Sequence, residues 1–162
     1  MAERPRHDQR SSVGRLYDQH GASLYRYALM LLADPAAAAD AVQQVFTAVL
    51  RPSATFVFDH EAHYLRRAVR NECFSALRRR RARDEHAAES LLEPASSDPV
   101  APEERIALER AIRALPVDQR EVVHLHVFED LTFREIAEQA REINTVAGRY
   151  RYALAKLRTE LG

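Results

Sequence analysis

The 162-residue chain has no tryptophan, one cysteine, four glycines and a single lysine, Lys156. The lone Cys73 excludes a disulfide framework and a four-cysteine zinc site. Four glycines (Gly14, Gly21, Gly148 and Gly162) leave no glycine-rich loop to cradle a phosphate, and few tight turns. No apolar run approaches the ~20 residues that span a bilayer, so no membrane insertion is expected. Residues 1–10 are polar, carry both charge signs and read as no signal peptide. A cytoplasmic protein is the simplest expectation.

What is abundant points to helices and to arginine. Alanine, leucine, arginine and glutamate dominate, a composition that favours α-helix. Apolar residues make up 46% of the chain, enough for a core at this size. The 24 basic and 24 acidic side chains cancel, which excludes a uniformly basic, histone-like protein. Arginine suits bidentate phosphate and base contacts, although GC-rich coding produces the same bias. The charges are unevenly placed. Residues 51–83 hold nine arginines against Asp59, Glu61 and Glu72; residues 84–109 hold eight acids against Arg105. A net +6 block therefore abuts a net −7 block. The basic block has apolar positions inside it, which argues for a folded helix over a solvated tail.

Residues 84–102, with Pro94, Pro99, Pro102, Ser96, Ser97 and five acids, have linker chemistry. The expected organisation is all-α. A polar tail at 1–11 precedes a three-helix domain at 12–83. The acidic linker at 84–102 follows, then a four-helix domain at 103–162. In the first domain, Val13, Leu16, Leu24, Ala28 and Leu31 set a helical stripe over 12–32. Asp34-Pro35 signals the start of a second helix over 35–50, with Val42, Val45, Phe46 and Val49 inward. Residues 51–60 read as a loop. A long helix spans 61–83, with Leu65, Val69, Cys73, Ala76 and Leu77 inward. In the second domain, helices are expected over 103–115 (Leu108, Ala111, Ile112 and Leu115 inward) and 118–128 (Val122, Val123, Leu125 and Phe128). Thr132 and Glu135 form a capping box that opens a helix of about two turns. A last helix starts near Asn144 or Thr145, with Val146, Tyr150, Ala153, Leu154, Leu157 and Leu161 as its stripe. Two short helices, the second amphipathic and arginine-rich, form a helix-turn-helix pattern, which places the second in the major groove. Thr145, Arg149 and Arg151 are expected to project from its N-terminal half.

Two stretches carry a family resemblance. ADAVQQVF (39–46), followed by the arginine-rich 61–83 helix, resembles region two of bacterial sigma factors. RAIRALPVDQREVVHLHVFEDLTFREIAE (110–138), then NTVAGRYRYALAKLR (144–158), resembles region four. With only these two regions and an acidic linker, the chain is similar to the extracytoplasmic-function subgroup of the sigma-70 family. It departs from the family in three places. The turn at 139–144 lacks a glycine and is a residue shorter. Ser75 stands where the family typically has an acid in N-x-x-x-D-x-x-R. Tyr64 stands near the family's usual tryptophan.

The resemblance implies a dissociable subunit that binds RNA polymerase core and promoter DNA, without cofactor or catalytic chemistry, and an anti-sigma factor as a further partner. Arg66, Arg67, Arg70 and Asn71 would meet DNA near the −10 element, with Arg78 and Arg79, flanked by Arg80 and Arg81, as a phosphate clamp. Phe56 and Phe58, in the loop at 51–60, would stack an unpaired base or belong to the core. Thr145, Arg149 and Arg151 would read or clamp the −35 element; Asn144 ranks lower as a helix N-cap. Asp40, Gln43 and Gln44 would dock the polymerase clamp, and the 118–128 helix its flap. Gly148 either permits close approach to DNA or is simply tolerated. His60 with His63, His124 with His126, and Cys73 have no ligand spacing with a third partner, so no metal is expected. A stand-alone helix-turn-helix regulator and a helical protein–protein adaptor are the rival readings.

Overall fold

The computed structural model describes residues 6–51, 60–83, 103–140 and 145–162, with side chains from residue 12 onward. Phe56, Phe58, Asn144 and the 84–102 linker lie outside these residues. The described residues form seven α-helices and no strand. They fall into two compact units, Met1–Ala88 and Glu89–Gly162.

The first unit holds α1 (Arg6–Leu32), α2 (Pro35–Val49) and α3 (Glu61–Arg83). α1 begins six residues before the expected start, inside the stretch expected to be a tail. The polar residues there continue the helix without supplying an apolar stripe, so periodicity gave no sign of them. The α1–α2 turn is two residues long. Ala33 adopts φ 51°, the left-handed conformation that closes a helix C-terminus and is usually left to glycine. Asp34 then caps α2: its Oδ1 accepts from the Ala37 backbone N–H at 3.1 Å, and Pro35 takes the first helical position. From α3, Arg80 reaches back to this corner. It donates to the Leu32 carbonyl at 3.3 Å and to Asp34 Oδ2 at 3.2 Å. The core joins Leu16, Leu24, Tyr27, Ala28, Leu31 and Leu32 of α1 to Ala38, Val42, Val45, Phe46 and Val49 of α2. Leu65, Val69 and Cys73 of α3 complete it. Ala76 and Leu77, expected inward, are only half-buried.

The second unit holds α4 (Glu103–Arg113), α5 (Val117–Val123), α6 (Phe133–Ala140) and α7 (Val146–Leu161). α4 stops before Leu115-Pro116, as that pair requires. Buried Arg120 donates to the Arg113 carbonyl at 3.0 Å, supplying the partner that the end of α4 lacks. Burial, and then the neighbouring Arg113 charge, pull the Arg120 pKa down from its ordinary value. The expected single helix over 118–128 is split. After Val123 the chain widens into a π-helical turn, His124–Phe128, closed by Glu129 N–H donating to the His124 carbonyl at 3.3 Å. More residues per turn shift the inward stripe. Leu125 stays buried, while Phe128, expected inward, is 57% exposed. Leu108 is likewise at the surface. Ala111, Ile112, Leu115, Val122, Val123, Leu125, Ile136, Ala137, Val146, Ala153 and Leu157 form the core.

Candidate nucleic-acid interface

α3 separates its faces by residue angle. At about 100° per residue, Leu65, Val69 and Cys73 share one line, and Arg80 continues it. This explains why Arg80 ties α1 to α2 instead of joining an outward clamp. On the opposite side stand Arg67, Asn71, Phe74 and Arg78, spaced four, three and four apart. Asn71, Arg78, Arg79 and Arg81 are exposed; Arg66, Arg67 and Arg70 are half-buried. Arg70 lies with its guanidinium carbon 4.4 Å from the Phe74 ring centre, a cation–π arrangement the sequence reading missed. An i,i+4 arginine–phenylalanine pair was the available signal. Arg78 donates to Ser75 Oγ at 2.9 Å. Arg79 projects to a different side of α3 from Arg78, and its carbonyl accepts from Arg83 Nε at 3.4 Å.

On α2, Asp40, Gln43 and Gln44 are exposed together. With Thr47 and Arg51 they line a shallow depression of about 390 Å³. Thr47 donates its hydroxyl to the Gln43 carbonyl at 2.8 Å, keeping that threonine along the helix.

The helix-turn-helix is built in three steps. Thr132 and Glu135 make the capping box: Thr132 N–H and Oγ1 donate to Glu135 Oε2 at 2.8 and 2.9 Å, and Glu135 N–H donates to Thr132 Oγ1 at 3.2 Å. His126, on the π-helical turn, donates from Nδ1 to the Leu131 carbonyl at 2.7 Å. Its ring then meets Phe133 of α6 and Tyr150 of α7 at centroid distances of 4.5 and 4.9 Å; the latter two rings are 5.3 Å apart. This aromatic trio fixes α6 against α7 through the turn that precedes them. It was not legible in the sequence, where the three residues are spread over 25 positions.

The three residues expected to project together from α7 do not. Thr145 and Arg151 are exposed. Arg149 is turned toward α5: its Nε lies 3.3 Å from Asp118 Oδ2, and its side chain is 23% exposed. Tyr150 packs as expected, and exposed Tyr152 lies beside Arg151, 5.6 Å from guanidinium carbon to ring centre.

Among the described residues, no group of three or more His, Cys, Asp or Glu side chains is placed to hold a metal ion. No helix among them is long and apolar enough to cross a membrane.

Two family models match the chain in the order the two units stand: sigma-70 region 2 over residues 16–83, and sigma-70 region 4 over residues 105–157. The chain belongs to the sigma-70 family. The ECF RNA polymerase sigma factor SigM of Mycobacterium tuberculosis, in strains Erdman and H37Rv, is 29% identical over 153 residues. The match covers 94% of this chain and 76% of SigM. With these relatives, the sigma factor falls in the ECF group. The fold is also that of a solved structure, the sigma factor RpoE in complex with the anti-sigma factor NepR from Bartonella quintana. That match has a TM-score of 0.73 and 21% identity, and covers 95% of this chain and 96% of RpoE. As an RNA polymerase sigma factor, the protein directs promoter recognition and is not an enzyme.

Proposed function

We propose that the first unit engages the −10 region through the outer face of α3, while the exposed side of α7 engages the −35 element. The observation that carries this reading is the line Arg67–Asn71–Phe74–Arg78, set opposite the buried line Leu65–Val69–Cys73. Arg67 and Arg78 neutralise backbone phosphates, so affinity falls steeply with salt. Arg70, with its guanidinium carbon over the Phe74 ring, presents its cation to the same surface. Arg66 and Arg79 lie about 100–120° round α3 from the middle of this face, toward the buried side. On α7, Thr145 and Arg151 stand ready, and Arg149 joins them by exchanging Asp118 for a base or phosphate. The depression edged by Asp40, Gln43 and Gln44 is the docking surface for the polymerase clamp. Phe56 and Phe58 are assigned to the unpaired −10 base, and Asn144 to the −35 side, on the family resemblance alone. An anti-sigma partner is supported by the complex in which RpoE was crystallised. We place the protein in the cytoplasm, where polymerase and DNA are.

Run-off transcription with purified polymerase core tests this reading, with and without the protein. Transcripts from its promoter are expected only when it is present. Charge reversal at Arg66 and Arg67 is expected to lower open-complex formation while core binding persists. An equal fall in core binding would assign those arginines to the polymerase instead.

A further inference from the structure

α7 contains a glycine that the fold does not require. Gly148 is its third residue. Among the described glycines only Gly162 has a positive φ, so no turn demands Gly148. A Cβ built on Gly148 meets nothing within 4 Å, so no close packing demands it either. Gly21 is the contrast: a Cβ there would touch the Tyr17 ring at 3.4 Å. Glycine within a helix weakens it relative to alanine, and here no contact inside the protein compensates.

Position supplies the missing reason. At about 100° per residue, Gly148 lies about 200° round α7 from buried Val146, on the side away from the core. Thr145, Arg151 and Tyr152 stand around it, all exposed, and Ala155 follows two turns on. The outer ridge of α7 is therefore lowest in its first turn, with the long side chains of Arg151 and Tyr152 beyond it on either side. A helix with its side chains is about as wide as the major groove, so the fit is tight. Omitting one Cβ gains about one bond length, ~1.5 Å, of approach.

We propose that Gly148 sets the −35 base preference of this sigma factor by letting the α7 backbone seat against the base edges in the major groove. Arg151 and Tyr152 then reach to either side of the contact. This inference rests on the reading that α7 docks on the −35 element. Gly14, on α1, has the same open surroundings and lies outside both DNA faces, so it is the control.

The full-length protein with purified polymerase core is tested as wild type, Gly148→Ala and Gly14→Ala. The template is a promoter library randomised across the −35 element, read by transcript sequencing, with thermal melting of each variant alongside. Both variants are expected to melt at or above wild type. Gly148→Ala is expected to lose about tenfold in transcription from the sequences wild type prefers, the size of a mismatched base pair, and to reorder the preferred bases. Gly14→Ala is expected to keep the wild-type profile. The inference is overturned if Gly148→Ala keeps the wild-type yield and preference, or if it melts below wild type, which would make the glycine a requirement of the fold. A wild-type protein indifferent to the −35 sequence would instead overturn the docking reading, and this inference with it.

Discussion

Replacing Thr132 with alanine is expected to loosen the start of α6 in the second unit by an amount set by the capping box. α6 has only eight residues, and a helix this short is not stable alone. Its start is held by the three hydrogen bonds between Thr132 and Glu135. The substitution removes the two that involve Oγ1 and leaves the Glu135 N–H without that acceptor. The Thr132 N–H bond to Glu135 Oε2 needs no threonine side chain and persists. Loss of an N-cap side chain costs about 1 kcal/mol, within a range of roughly 0.5–2. The retained bond and the exposed site argue for the middle of that range. For a unit of this size, 1 kcal/mol is about 4–8 °C in Tm. The assay is calorimetry of the full chain with hydrogen exchange at the α6 amides, comparing Thr132→Ala with Thr132→Ser. Serine restores the hydroxyl and is expected to melt close to wild type. Because Phe133 sits at the start of α6 and packs on Tyr150 of α7, −35-dependent transcription is expected to fall on warming. Equal melting and equal exchange in the alanine and serine variants would refute the reasoning, and with it the idea that this box holds α6.

Asp118→Asn is expected to free Arg149 from its ion pair. A partly exposed pair is worth about 0.5–1 kcal/mol, so −35 binding should strengthen about two- to fivefold; weaker binding, measured as transcript yield against holoenzyme concentration, would show that Asp118 positions the arginine. Arg80→Ala is expected to lower the stability of the first unit by about 0.5–1 kcal/mol, because Arg80 and Asp34 are both partly exposed. Arg79→Ala is expected to leave melting unchanged; matched melting curves for the two variants would contradict the structural role given to Arg80.

The division into helices was legible because apolar periodicity and caps are local signals. Asp34-Pro35 and Thr132–Glu135 each mark a helix start within four residues of sequence. The buried line of α3 at Leu65, Val69 and Cys73 was legible for the same reason, whereas Arg80, expected in an outward clamp, turns to Leu32 and Asp34. What failed depended on partners far along the chain, or on a change of helical pitch. Arg149 was expected to project, but its direction is set by Asp118, 31 positions earlier, on a helix whose placement no local pattern reveals. Phe128 was expected inward because a uniform 3.6-residue period was assumed through His124–Phe128, where the turn is wider. α1 begins earlier than its apolar stripe indicates because its first residues carry no stripe.

Arginine supplies nearly every cation in this protein, and part of it holds helices in place, by a geometry that the proposed DNA contacts would share. A helix end leaves backbone carbonyls without partners. Arg80 donates to the carbonyl of Leu32 at the end of α1, and Arg120 to that of Arg113 at the end of α4. Each unit thus closes a helix with a guanidinium brought from later in the chain. The same planar fork, turned outward at Arg67, Arg78 and Arg151, suits phosphate and base edges. The helix angle at which an arginine falls decides which task it takes, because the donors are identical. An excess of arginine therefore does not measure the DNA-facing surface. The count must first be reduced by those that hold the helices, and on α3 Arg80 is one of these.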